Sequence, residues 1–168
     1  MKVELIDQKD NQKIMHWKNL MRNVGFSRFH LSEHEYIFLW NDNDFVIGTV
    51  TLDIFKDCGI IKQVATHTKF RKQGLGREIV KFSIDFFKKH EMNYSALCCH
   101  YWLFNFYKKF GFKVFPRRKL PFHIRTYSQF SDKKYMSCSV MLLSLKRKRR
   151  KQKNDRNKVL ETITNISI

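Results

Sequence analysis

Apolar positions follow two rhythms along the chain, and their alternation predicts its elements. Val3 to Ile6 reads as a short strand, and from Asn11 to Arg22 the spacing of Ile14, Trp17, Leu20 and Met21 predicts one buried helix face. Tyr36 to Trp40 and Phe45 to Leu52 are β-rich runs flanking the turn-forming Asn41-Asp42-Asn43-Asp44, which predicts a hairpin. After a break at Asp57-Cys58-Gly59, a further strand is expected over Ile60 to Thr66. From Gly74 to about His90, Ile79, Val80, Phe82, Ile84, Phe86 and Phe87 form a broad helical stripe, with Arg77, Glu78, Lys81, Asp85 and Lys88 largely opposite. Tyr94 to Cys98 reads as a strand, Tyr101 to Lys109 as a short aromatic helix closed by Gly111, and Phe112 to Phe115 and Tyr135 to Leu145 as the last strands. Between those two, Pro116 to Lys134 has no clear period and reads either as the lining of a pocket or as a solvated loop.

Composition narrows this picture. A chain of 168 residues fits one domain, and a hydrophobic fraction of 43% with 16 phenylalanines supplies a core that needs no metal or disulfide staple. Cys58, Cys98, Cys99 and Cys138 lack paired C-x-x-C spacing, so reduced thiols are expected. Lys and Arg number 33 against 15 Asp and Glu, a net charge of +18 that favours anionic partners. Much of the excess is local, in the run from Lys146 to Lys158. We therefore expect a folded domain over residues 1–145 and a basic tail over residues 146–168. The tail has the composition of a nucleic-acid or acidic-partner arm, and equally of a solubilising appendage. The start, Met1-Lys2-Val3-Glu4, has neither a signal peptide nor a spanning helix, so no membrane role is expected. The expected location is the cytoplasm, or the nucleus should Lys146 to Lys151 act as an import signal.

The chemistry concentrates where Ile60 to Thr66 leads into Arg71-Lys72-Gln73-Gly74-Leu75-Gly76 and a helix. A strand, a glycine turn and a helix start together present free backbone N–H groups at the positive end of a helix dipole. Gly74 and Gly76 leave room for a phosphate, and Arg71, Lys72 and Arg77 add positive charge, so a diphosphate is the natural occupant. The spacing matches neither a triphosphate loop nor a dinucleotide fingerprint. The contiguous Cys98-Cys99-His100 alternates faces on a strand, and no other cluster has ligand spacing, so no metal is expected.

The run from Val64 to Gly76 resembles the acetyl-coenzyme A motif of the GNAT (GCN5-related N-acetyltransferase) superfamily, in which a strand feeds an R-x-x-G-x-G loop. Phe106-Tyr107-Lys108-Lys109-Phe110-Gly111-Phe112 resembles that family's second signature. The resemblance implies an α/β (α+β) fold, with a mixed, mostly antiparallel sheet of six or seven strands flanked by helices. It implies transfer of an acetyl group from acetyl-coenzyme A to a primary amine by direct attack, in a monomer or homodimer. Cofactor contacts would fall on Val64, Ala65, Thr66, Arg71, Lys72, Gln73, Gly74, Leu75, Gly76, Arg77, His100 and Lys109, with the Val64 and Thr66 backbones pairing with the pantetheine amides. Tyr107 would be the catalytic acid that protonates the leaving thiolate. His100 and Leu103 stand where the family often has Asn and Ala. The base that deprotonates the amine is left open among Asp53, Asp57, Gln63 and His100. Arg22 to His34 and Pro116 to Lys134 are the segments expected to meet the acceptor. The competing reading is a catalytically weak module of the same fold that binds nucleic acid or ribonucleoprotein through its tail.

Overall fold

Strand β3 (Phe45–Phe55) is buried without interruption from Val46 to Leu52, so it needs cover on both faces. The computed structural model describes residues 1–26, 31–32, 34–42 and 45–146, and supplies that cover. Most of the expected basic tail, and the Asn43-Asp44 turn, lie outside the described residues.

Seven strands form one sheet in the order β1-β2-β3-β4-β5-β7-β6, with β1 Lys2–Ile6, β2 Tyr36–Asp42, β4 Cys58–Thr66, β5 Tyr94–Cys99, β6 Lys113–Val114 and β7 Ser139–Ser144. Every neighbouring pair is antiparallel except β4 with β5. That parallel pair needs a crossover, which helix α2 (Leu75–Lys89) provides.

Helix α1 (Asn11–Asn23) starts at Asp10, whose side chain accepts from the Lys13 N–H. It buries Ile14, Trp17, Leu20 and Met21 against Ile6, Ile37, Leu39, Val46 and Ala65. Helix α2 buries Leu75, Ile79, Val80, Ile84 and Phe87 against Phe38, Trp40, Val50, Leu52, Ile61 and Leu97. Ile37 and Leu39 alternate with Phe38 and Trp40 along β2, so the two helices lie on opposite faces.

Residues 116–138 differ from a solvated loop. They form short helical turns, among them α4 (Phe122–Arg125) and α5 (Ser128–Ser131), after α3 (Phe104–Lys108). Leu120, Ile124, Tyr127 and Phe130 are buried against Cys58, Ile60, Ala96 and Val140, on the α1 face. Arg117 ties the segment together by donating to the carbonyls of Gln129, Phe130, Tyr135 and Cys138 at 3.3, 2.7, 2.5 and 2.8 Å. Strand β4 begins at Cys58, inside the expected break, because Gly59 serves close packing there and is not a turn residue. A Cβ on Gly59 would lie 2.2 Å from the Phe87 ring.

Candidate active site

Strands β4 and β5 part company halfway along. Their parallel pairing runs from Cys58 with Tyr94 to Ile61 with Leu97 and stops, while β5 stays paired with β7 as far as Cys99. The register between β3 and β4 shifts in the same place, between Thr49 and Thr51, where Gln63 takes a positive φ of 50°. This is a β-bulge, which bends a strand and ends its pairing. Lys62 to Thr66 therefore have a backbone edge without a strand partner, at the mouth of a fork. Val64 and Thr66 are half-buried there and Ala65 is buried.

Beyond Thr66 a 3₁₀ turn (Thr68–Phe70) leads into the glycine loop. Gly74 caps α2 in the left-handed region, with φ 90° and open space where a Cβ would sit. The N–H groups of Arg77 and Glu78 return to the Gly74 carbonyl, and helix geometry leaves the earlier ones, through Gly76, without intrahelical acceptors. Arg71, Lys72, Gln73 and Arg77 are exposed around this helix start, and Arg71 Nε donates to the Thr66 carbonyl at 3.4 Å. A free strand edge continuous with a cationic helix N-terminus suits a ligand that carries amides followed by a diphosphate.

The two sequence signatures meet in space. The position of a Cβ on Gly76 is 3.7 Å from the Phe106 ring and 3.8 Å from Thr66 Oγ1, so α3 lies against the loop. Tyr107 is buried in α3 with its ring edge-on to Phe106 and Phe112. Burial, and then the neighbouring Cys99, push its hydroxyl well above the ordinary tyrosine range, so it is protonated at neutral pH. Lys109 is exposed at the end of α3. His100, just after β5, stacks on Trp102 at 4.4 Å, and its ring nitrogens are 3.8 Å from Cys138 Sγ.

The four candidate bases separate. Asp57 lies at the β3–β4 turn, where the strands still pair, and is bonded to Asn93 at 2.9 Å and His123 at 2.7 Å. It stands away from the fork. Gln63 sits at the bulge with Oε1 buried and unpartnered among the described residues. Asp53 accepts a 2.7 Å hydrogen bond from Tyr127. The sequence reading missed Glu35, which pairs with Lys62 on the same face. Glu35 falls one position outside the Arg22 to His34 segment, and no local pattern announces it.

All four cysteines are free thiols. Burial pushes Cys58 and Cys98 up to about 12 and Cys99 up to about 11, which disfavours their nucleophilic thiolate form at neutral pH. Among the described residues no group of three His, Cys, Asp or Glu could hold a metal, and no helix is long and apolar enough to cross a membrane.

No curated protein matches the sequence significantly. Solved structures do resemble the fold. Tetrahymena GCN5 is 16% identical with a TM-score of 0.70, covering 87% of this chain and 97% of that one. The ribosomal-protein-S18-alanine N-acetyltransferase of Escherichia coli is 14% identical with a TM-score of 0.66, covering 87% and 94%. The N-acetylglutamate synthase of Neisseria gonorrhoeae, complexed with coenzyme A and N-acetyl-glutamate, is 17% identical with a TM-score of 0.68, covering 88% of this chain and 36% of that one. The model of the Acetyltransferase (GNAT) family matches residues 4–112, a stretch that holds the forked strands, the glycine loop and the Tyr107 helix, and the chain belongs to that family.

Proposed function

We propose that the protein transfers an acetyl group from acetyl-coenzyme A to a primary amine, by direct attack with both substrates bound. The observation that carries this reading is the convergence of the open β4 edge, the Arg71 to Gly76 loop and buried Tyr107 at one fork. The thioester supplies an activated acetyl carbon and a thiolate leaving group. Backbone groups of Val64 and Thr66 pair with the pantetheine amides as an added strand would, and the Gly74 to Gly76 N–H groups with Arg71, Lys72 and Arg77 hold the pyrophosphate. The solved synthase complexed with coenzyme A supports the same donor.

Tyr107 donates its proton to the departing thiolate. Its hydroxyl is protonated at neutral pH, as a proton donor must be, and the work of giving that proton up from a buried site is met by the negative charge developing on the thiolate sulfur. The donor's loop lies on the α2 side of the sheet, which leaves the face covered by α1 and residues 116–138 for the acceptor.

Incubating the full chain with acetyl-coenzyme A and a panel of amines and peptides, while following free thiol, tests the reading. Release is expected with at least one amine, and Tyr107→Phe is expected to lower kcat about 100-fold with little change in KM for acetyl-coenzyme A. Cofactor binding without thiol release for any acceptor would refute turnover, and an unchanged kcat in Tyr107→Phe at every pH would refute the acid role.

A further inference from the structure

The sheet face away from α2 carries polar side chains whose hydrogen-bonding capacity is only partly used. Alternation puts Thr51 and Asp53 of β3 on this face with Ile60 and Lys62 of β4, Thr51 being opposite Lys62 and Asp53 opposite Ile60. Glu35, at the entry to β2, reaches the same spot through its ion pair with Lys62. Tyr127 closes it from the covering segment by donating to Asp53 at 2.7 Å. Lys62 is the first β4 residue beyond the last pair with β5, so the cluster borders the fork.

The Glu35 side chain is 2% exposed and its Oε1 bonds Lys62, while Oε2 is buried with no partner among the described residues. Thr51 is 0% exposed, and its Oγ1 is in the same condition. Oxygens left this way cost about 1–3 kcal/mol each, and nearly all buried polar groups in folded proteins find partners. The unmet chemistry defines the missing partner. Glu35 Oε2 can only accept, and Glu35 and Asp53 bring two carboxylates to a spot where Lys62 is the one cation named, so a partner with hydrogen-bond donors and positive charge suits it. An alkylammonium does both, with three donors on a compact cation.

We propose that Glu35, Thr51 and Asp53 seat the ammonium group of the acceptor, and that this seat selects alkylammonium compounds with free N–H donors. The proposal rests on the acetyltransferase reading and adds which residues receive the second substrate. Lys62 is a positioning residue: it keeps Oε1 of Glu35 and leaves Oε2 for the incoming cation. The seat is locally acidic within a chain of net charge +18, so it distinguishes this spot from the cationic surface that holds the donor.

The test is binding in the absence of acetyl-coenzyme A, so that an enzyme with no turnover can still pass it. n-Butylamine at neutral pH is titrated calorimetrically into the full chain, wild type and Glu35→Gln, with trimethylbutylammonium as the cation that lacks N–H donors. Saturable butylamine binding is expected in the wild type, weakened about tenfold to a hundredfold by Glu35→Gln. The trimethyl compound is expected to bind neither protein. Asp53→Asn serves as a second variant, with weakening in the same direction, should Glu35→Gln fail to fold. Equal affinities across the variants, equal affinities for the two cations, or no saturable binding to the wild type would overturn the seat. Thiol release by Glu35→Gln at the wild-type kcat/KM would also overturn it and leave the acetyltransferase reading intact. Butylamine binding without thiol release from any amine would do the reverse.

Discussion

The two faces of the sheet at the fork are built for different purposes. On the α2 face the contacts are almost wholly apolar, and the helix lies so close that Gly59 has no room for a side chain beneath Phe87. Ser83, buried in that helix, is satisfied locally by donating to the Ile79 carbonyl at 2.8 Å. Across the sheet, Glu35, Thr51, Asp53, Lys62 and Tyr127 crowd one spot, and two of their oxygens have no partner among the described residues. The dry face backs the paired stretch of β4 below the bulge. The polar face keeps unmet acceptors at that point, which is costly for folding and useful for binding.

The largest effect is expected from splitting the ion pair on the polar face. Lys62→Met would leave the Glu35 carboxylate, 2% exposed, without its counter-ion, with a loss of about 3–5 kcal/mol of stability. Adding Glu35→Leu to that variant is expected to restore most of the loss, since two apolar side chains replace the pair. Urea unfolding midpoints at constant slope measure both. Equal stability of Lys62→Met and wild type would mean that Glu35 is well hydrated, and the contrast between the faces would fail.

Next in size is a change on the dry face. Gly59→Ala forces the Phe87 ring or the α2 backbone to move, at about 1–3 kcal/mol. The same unfolding measurement applies. A loss below the error of the fit would show that α2 rides loosely on β4, leaving the fork without the rigid backing described above.

What the sequence revealed depended on how local each signal is. Helix α1 and its four buried residues are legible because their period lies within one short stretch, from Ile14 to Met21. The glycine loop and Tyr107 are legible for the same reason, as each is a contiguous motif. Gly59 misled because a glycine in a strand looks like a turn until the helix above it is known. Pro116 to Lys134 stayed open between a pocket lining and a solvated loop because the buried positions, Leu120, Ile124, Tyr127 and Phe130, are spread over separate short turns interrupted by Pro121. The acceptor-side cluster is the least legible part. Glu35 and Lys62 are 27 positions apart and Asp53 and Tyr127 are 74 apart, so only the folded sheet brings them together.

The smallest effect concerns the far end of the polar face, where the covering segment is fastened to the sheet at Asp57. Burial pushes that carboxyl up, but hydrogen bonds from Asn93 and His123 outweigh it and hold the group below its ordinary value of 3.8. A carboxylate with a depressed folded pKa contributes stability that is present above the unfolded pKa and lost as pH falls through the folded one. Asp57→Asn is therefore expected to lower Tm modestly at pH 7, modestly because the side chains of His123 and Asp57 are 37% and 34% exposed. The gap between variant and wild type should close as the pH falls below about 4, the range in which the unfolded carboxyl titrates. A gap that stays constant across this range would mean that Asp57 holds the segment by hydrogen bonding alone, with no contribution from its charge. The fastening at this end would then be of the same neutral kind as the Arg117-bound carbonyls are on their accepting side, and the contrast in charge would be confined to the fork.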